Sequence, residues 1–175
     1  LRGGDGRGRY DGPVRLLLIA AAAALSLAAL PACAQQAPFT GKVVSVADGD
    51  TIEVLDGRAR RRIRLHGVDT PEQGQAFGDR ARRRTGELVM GAAVTVRPRG
   101  VDQFSRVLGE VVLPDGRILN QVLVGEGLAW WFRRYAPRDR RLESLEEQAR
   151  EKRLGLWADP DPTPPWLWRR DRKRR

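Results

Sequence analysis

Three short segments of alternating polarity, separated by Asp-Gly pairs, most constrain how this chain can fold. The segments cover residues 40–47, 51–55 and 60–66. In the second segment Ile52 and Val54 share one face, and in the third segment Ile63 and Leu65 do. Alternation with a period of two is typical of β-strands with one buried face, and an Asp-Gly pair between such strands favours a tight hairpin turn. The region therefore predicts a three-stranded meander.

Helix and strand patterns continue beyond the meander. The sequence predicts, in order, a helix over residues 75–90, strands over residues 93–97 and 106–113, a short helix over residues 120–126 and a last helix over residues 138–153. The first helix is expected to turn four residues inward, namely Phe77, Ala81, Thr85 and Leu88. In the last helix Glu146 and Arg150 are four residues apart and are expected to form a pair that modestly stabilises the helix. Together these elements predict an α+β fold that is mainly β, a five-stranded Greek-key barrel of the OB type with about three flanking helices.

Residues 1–34 are predicted to be an N-terminal extension with a signal peptide. The apolar run at residues 16–30 follows Arg15 and precedes Ala32-Cys33-Ala34, which matches an A-x-A cleavage site. This run is shorter than the roughly 20 residues that span a membrane. We therefore expect a chain that is secreted or periplasmic after cleavage. The alternative is a lipoprotein anchored at Cys33, because residues 30–33 resemble a lipobox.

The rest of the sequence divides into one domain and a tail. Residues 35–158 carry the predicted strands and helices, and residues 159–175 form a tail that is rich in proline and basic side chains. The basic end of the tail could touch nucleic acid electrostatically. A basic run of this kind is more often solvated, and we expect that here.

The residue types available restrict the chemistry of the domain. Cys33 is the only cysteine and His66 the only histidine, so residues 35–175 offer no disulfide, no thiolate metal site and too few ligands for zinc. No nucleophile-elbow motif accompanies the histidine. Catalysis would have to come from carboxylates and arginines, which suit hard cations and phosphate. The net charge of +10 favours a polyanionic partner such as nucleic acid or an anionic membrane surface.

Three segments carry the candidate functional residues. They are Asp48-Gly49-Asp50-Thr51, the stretch RLHGVDTPE at residues 64–72, and Asp102-Gln103-Phe104-Ser105-Arg106. Taken singly, each has a structural explanation: a hairpin turn, a helix start with an early proline, and a surface arginine. Together they supply acidic ligands for a cation, a carboxylate for the attacking water and guanidinium groups for phosphate, which phosphodiester hydrolysis requires. We also expect Arg64, on the strand face opposite Ile63 and Leu65, to be displayed on the barrel surface.

With these segments, the sequence from residue 39 to residue 157 resembles the staphylococcal (micrococcal) nuclease family, also called thermonucleases. The resemblance rests on their order and spacing, on N-x-x-L-V-x-x-G-L-A at residues 120–129 and on Gly-Leu-Trp at residues 155–157. It implies that the carboxylates of Asp50 and Asp69, with the backbone carbonyl of Thr70, bind Ca²⁺. The cofactor expected for this chain is therefore Ca²⁺.

The resemblance also implies roles for the remaining site residues. Glu72 would orient or deprotonate the attacking water, while Arg64 and Arg106 would hold the scissile phosphate. Tyr135 falls where the family often places a tyrosine beside the nucleotide. Packing of this ring beside Trp130 or Trp131 is the alternative.

One segment departs from the family pattern. The family often reads D-x-Y-G-R before the second arginine, whereas this chain has Phe104 and Ser105 in place of the tyrosine and the glycine. Loss of the glycine could alter the turn that aims Arg106.

The implied function is Ca²⁺-dependent endonucleolytic hydrolysis of single- or double-stranded DNA and RNA, leaving 3′-phosphates. We expect a monomer without an obligate protein partner, and a membrane contact only if Cys33 is lipidated. The alternative is a non-catalytic nucleic-acid-binding module with the same barrel. The chain keeps the acidic and arginine positions that such modules often lack, so we favour the enzyme.

Overall fold

The computed structural model of the chain describes residues 36–174. The predicted signal peptide and the cleavage or lipidation site at Cys33 lie outside the described residues. The elements, in chain order, are β1 (Phe39–Asp48), β2 (Thr51–Asp56), β3 (Ala59–Leu65), β4 (Val68–Asp69), α1 (Gly78–Val89), β5 (Ala93–Val101), β6 (Val107–Val112), α2 (Leu119–Gly125), β7 (Trp130–Trp131), α3 (Arg140–Glu151), a 3₁₀ turn (Gly155–Ala158) and α4 (Pro165–Arg172). None of the helices in this part of the chain is long and apolar enough to cross a membrane.

Five of the strands close into a barrel in the order β1-β2-β3-β6-β5. The β1–β2 and β2–β3 hairpins form the predicted meander, and Ile52 lies opposite Ile63 across the second hairpin. Strand β6 pairs in parallel with β3, and β5 closes the barrel by pairing with β1 in the antiparallel sense. This arrangement confirms the predicted α+β fold, a five-stranded OB-type barrel with α1 between the third and fourth barrel strands.

The barrel core follows the predicted alternation, and α1 connects it to the site. Ile52, Val54, Ile63 and Leu65 are almost completely buried. Helix α1 begins at residue 78 rather than 75, after Phe77 in a left-handed backbone conformation with φ of 66°. Its buried Thr85 hydroxyl donates to the carbonyl of Gly49 at 2.7 Å. This bond fixes the β1–β2 hairpin, which carries a candidate metal ligand, against α1.

Strands β4 and β7 form a separate two-stranded sheet, to which α3 is attached through Glu146. The predicted pair with Arg150 is present at 3.5 Å, and Glu146 itself is buried. Its Oε1 accepts the backbone N–H of Trp131 at 3.1 Å, and its Oε2 lies 3.1 Å from Arg133 Nη2. The carboxylate therefore provides a hydrogen-bond acceptor for a backbone N–H of β7, in addition to pairing within its own helix.

The C-terminal tail forms helix α4, which the sequence did not predict. The ring of Trp166 stacks on Phe132 with centroids 5.2 Å apart and an interplanar angle of 8°. The expectation that the basic run is solvated is wrong for Arg169, which contacts Asp69 and Glu72. It holds for Arg172, which is exposed. Aromatic packing thus holds the tail against the domain beside the candidate site.

Candidate active site

Asp50 and Asp69, the two carboxylates predicted to bind metal, lie on either side of one guanidinium group. Arg64 Nη1 is 2.6 Å from Asp50 Oδ2, and Arg64 Nη2 is 2.7 Å from Asp69 Oδ1. Both aspartates are buried, with 5% and 0% of their surface exposed. The structure therefore brings three of the predicted site residues into direct contact.

The β1–β2 hairpin positions Asp50. Its backbone N–H donates to Asp48 Oδ1 at 3.1 Å, and its Oδ2 accepts the backbone N–H of Thr70 at 2.9 Å. A Cβ added at Gly49 would lie 2.8 to 2.9 Å from side-chain atoms of Thr70 and Ala81. Glycine is required there because any side chain would push the hairpin away from the strand-to-helix corner. Thr70, the third predicted metal-binding residue, thus lies directly beside Asp50.

Arg64 is not displayed on the barrel surface, contrary to the expectation from strand alternation. Only 14% of its side chain is exposed, because it turns toward the carboxylates of Asp50 and Asp69. Its Nη1 also donates to the carbonyl of Val68 at 3.1 Å. Burial alone would lower the pKa of Arg64, but the two carboxylates outweigh burial and raise it. The guanidinium therefore stays charged.

Burial also affects the carboxylates of the site. It is the main cause of the raised pKa of Asp69, which the contacts with Arg169 and Arg64 partly offset. Burial, followed by the charge of Asp50, raises the pKa of Asp48 to about 7. Buried carboxylates that crowd one another favour an added cation, because a cation relieves both their desolvation and their mutual repulsion.

Glu72, the predicted partner of the attacking water, is tied to Asp69 through a residue that no motif indicated. Arg169 Nη1 is 2.5 Å from Glu72 Oε1, and Arg169 Nη2 is 2.8 Å from Asp69 Oδ2. Glu72 is more accessible than Asp69, with 36% of its side chain exposed against 1%. Its carboxylate is therefore at the open side of the cluster, where solvent reaches it.

Arg106 is held by its own turn, despite the departure from the family pattern. Asp102 Oδ1 accepts the backbone N–H groups of Phe104 at 2.9 Å and Arg106 at 3.0 Å, and Asp102 Oδ2 accepts Arg106 Nε at 2.7 Å. Ser105, where the family often has glycine, adopts a φ of 60°. The turn thus keeps a left-handed backbone conformation that costs a serine more than a glycine.

A cleft of about 590 Å³ connects these groups. Five of the predicted site residues line it, together with three further charged side chains, namely Asp50, Arg64, Glu72, Arg106 and Tyr135, and Asp48, Asp102 and Arg169. Tyr135 packs edge-on against Phe132 at 4.9 Å, not against Trp130 or Trp131, and it is 57% exposed. Its ring therefore forms an accessible wall of the cleft.

The donor set fits a hard divalent cation. Within residues 36–174, no three Asp, Glu, His or Cys side chains form a ready-made metal cage. Asp50 and Asp69 instead offer a buried pair of carboxylates, and oxygen ligands are those that Ca²⁺ prefers. The guanidinium groups of Arg64 and Arg169 stand in as cations against this pair. A metal would take its remaining ligands from backbone, water or substrate oxygens.

One residue of the site, Arg169, escaped the sequence interpretation. Asp48 is expected from the sequence either to support the metal ligands or to form the turn, and its Oδ1 accepts the backbone N–H of Asp50. Arg169 is 97 residues from Glu72 and lies in a segment without helical periodicity, so no local pattern could place it. The two tryptophans and four prolines of residues 160–168 were the available sign that the tail packs against the domain, since exposed aromatic residues are costly.

Known proteins resemble the chain over this domain. The family model described as staphylococcal nuclease homologue matches residues 62–159. The chain is 43% identical over 162 residues to a micrococcal nuclease of Shigella flexneri, covering 87% of this chain and 91% of that protein. It is 45% identical over 133 residues to an uncharacterized endonuclease of Escherichia coli, covering 76% and 86%. It is 35% identical over 112 residues to the staphylococcal-like nuclease CAN1 of Arabidopsis thaliana, covering 64% and 34%.

Proposed function

Because the chain belongs to the staphylococcal nuclease family and is a nuclease, we propose that it is a Ca²⁺-dependent endonuclease of DNA and RNA that leaves 3′-phosphates. The observation that carries the proposal is the cluster of Asp50, Arg64 and Glu72 on one cleft, with the buried carboxylate of Asp69 in contact with Arg64. A buried carboxylate pair beside guanidinium groups suits a phosphodiester, since the pair attracts a cation and the guanidinium groups attract phosphate oxygens.

Asp50 and Asp69 would hold the cation, with the backbone carbonyl of Thr70 as a further ligand. When bound, Ca²⁺ supplies positive charge that polarises the phosphate and orients the attacking water. The Thr70 N–H fixes one oxygen of Asp50, and Arg64 fixes one oxygen of each aspartate. These contacts orient the carboxylates before any ligand arrives, which lowers the cost of ordering them on binding.

Glu72 would receive a proton from the attacking water, or orient that water, at its carboxylate. Its partial exposure supports this role, because a base must reach both solvent and substrate. Arg106 and Arg64 would bind the phosphate oxygens, where charge builds up as the bond to the leaving oxygen breaks. The remaining Arg106 nitrogens are available for this contact, since Asp102 engages its Nε.

Tyr135 would contact the nucleotide beside the scissile bond. The ring lines the same cleft, and its exposure of 57% leaves a face to which a base or sugar can pack. The excess of basic residues supports attraction of a polyanionic substrate over longer distances. We further propose that the enzyme acts as a monomer after export to the periplasm or the medium, on the basis of the apolar segment at residues 16–30.

The experiment is a cleavage assay on end-labelled DNA and RNA oligonucleotides, with Ca²⁺ or with excess chelator. We expect internal cleavage of both polymers in Ca²⁺, products that end in 3′-phosphates, and loss of cleavage in the chelator. Equal cleavage in Ca²⁺ and in the chelator would disprove the metal dependence. Products with 3′-hydroxyl ends would disprove the assigned position of bond breakage.

A further inference from the structure

Helix α4 is firmly docked beside the cleft. Besides the stack of Trp166 on Phe132, Trp166 packs edge-on against Trp130 at 5.6 Å. Gln75 Nε2 donates to the backbone carbonyl of Thr163 at 2.6 Å, and Pro165 at the start of the helix is buried. These contacts on both sides of its first residue fix the position of α4. The backbone that carries the basic side chain one turn later is therefore fixed as well.

That side chain is Arg169, and it engages both carboxylates of the reaction centre. Its Nη2 is 2.8 Å from Asp69 Oδ2, and its Nη1 is 3.2 Å from Asp69 Oδ1 and 2.5 Å from Glu72 Oε1. Asp69 Oδ1 also accepts from Arg64 Nη2 at 2.7 Å. Both oxygens of Asp69 are therefore already occupied by guanidinium groups.

Arg169 is the only described side chain that hydrogen-bonds Asp69 Oδ2, so a metal ion that binds this oxygen competes with its guanidinium group. Arg64 is the less mobile of the two, since it is 14% exposed and also bonds Asp50 and the Val68 carbonyl. Arg169 is 39% exposed. Within the described part of the chain, its guanidinium group hydrogen-bonds only the carboxylates of Asp69 and Glu72. Arginine has several rotatable bonds, so its guanidinium can leave while the helix remains docked.

We propose that Arg169 is a tethered cation that occupies the metal-binding and water-activating carboxylates, and that Ca²⁺ displaces it. This inference rests on the proposed function, because it assumes that Asp69 is a metal ligand. With the tether, the apparent affinity for Ca²⁺ is the affinity of the free site multiplied by the fraction of molecules in which Arg169 has left the carboxylates. The nuclease thus stays closed to metal where free Ca²⁺ is scarce, and the Ca²⁺ concentration that opens it is set by α4.

Calorimetric titration with Ca²⁺, in the absence of nucleic acid, tests the proposal on the full chain. The variants are Arg169→Ala, which removes the tether, and Arg169→Lys, which keeps the charge but loses the planar fork that binds two oxygens. Arg172→Ala is the matched control, because it removes one positive charge from the same helix at an exposed position. Thermal unfolding in the chelator verifies that each variant is folded.

We expect Arg169→Ala to bind Ca²⁺ roughly tenfold more tightly than the unaltered chain, because the competing hydrogen bonds are charge-assisted. Arg169→Lys is expected to lie between the two, and Arg172→Ala to match the unaltered chain. Equal affinities for the unaltered chain and Arg169→Ala would overturn the tether and leave the proposed function intact. An equal gain in Ca²⁺ affinity in Arg169→Ala and Arg172→Ala would also overturn it, since the loss of one positive charge anywhere on α4 would then explain the result. A chain and variants that all fail to bind Ca²⁺ would instead overturn the metal role itself.

Discussion

Arg64 shows how one residue can join the chemistry of the site to the barrel. Arg64 lies in β3 between Ile63 and Leu65, which face the core. Its guanidinium group contacts the carboxylates of Asp50 and Asp69. Strand alternation correctly predicted that Arg64 leaves the core. It could not predict burial of the side chain, because that depends on a hairpin and a corner that fold over it.

Ser105 carries a backbone conformation that serine rarely adopts, with φ of 60°. Ser105→Gly should raise the free energy of unfolding by about 1 kcal/mol, because glycine adopts this conformation without a Cβ clash. Urea unfolding measures the change, and cleavage activity should be retained because the Asp102 contacts to Arg106 remain. The control is Ser144→Gly in right-handed α3, which should lower stability instead. A loss of stability in Ser105→Gly would show that the backbone of Ser105 is not strained.

His66 should make the protein less stable as the pH falls. Burial, followed by the charge of Arg99, lowers the pKa of His66 below its usual value of 6.5. Below pH 6.5 the unfolded chain therefore binds a proton that the folded chain resists, and the stability present above this pH is lost as the pH falls through the folded pKa. In His66→Gln the drop in unfolding free energy between about pH 7.5 and pH 5 should be smaller. An equal drop in both proteins would show that the histidine does not contribute.

At the scale of the elements, the buried carboxylate of Glu146 joins α3 to β7. Glu146→Ala should lower the free energy of unfolding by about 2 to 3 kcal/mol, because it leaves the N–H of Trp131 without its partner in a buried position. Chemical denaturation measures this loss. Glu147→Ala, at an exposed position of the same helix, is the control and should change stability by less than about 0.5 kcal/mol. Equal effects at the two positions would mean that burial of Glu146 is unimportant.

The five barrel strands and the first three helices could be predicted because their patterns are local, whereas the two-residue strands β4 and β7 are too short to show one. Alternation in residues 40–66 and helical spacing in residues 78–89 and 140–151 record which side of each element is buried. Helix α4 has no such periodic pattern. Pro165 sets its start, and the aromatic rings of Trp166, Phe132 and Trp130 set its position. Its stability comes from packing against distant segments, which local periodicity does not contain.

At the scale of the whole molecule, the site is assembled from segments that are far apart along the chain. The β1–β2 hairpin, the corner before α1, the β5–β6 turn and α4 each contribute side chains to one cleft. The closed barrel makes this possible, because its strand ends hold the turns at fixed positions. The sequence predicted Asp50, Asp69, Glu72 and Arg106 through their motifs. It could not predict how Arg169 would join them, since the contact depends on the folded tail.

The central claim is that this cleft hydrolyses nucleic acid and that Glu72 acts on the attacking water. Its most direct test is single-turnover cleavage of single-stranded DNA in saturating Ca²⁺ by the unaltered chain, by Glu72→Gln and by the exposed control Glu87→Gln, with DNA binding measured on the same samples. We predict that Glu72→Gln lowers the cleavage rate roughly 100-fold or more while DNA affinity stays within a few fold, and that Glu87→Gln changes neither. Cleavage by Glu72→Gln at the unaltered rate would contradict the account.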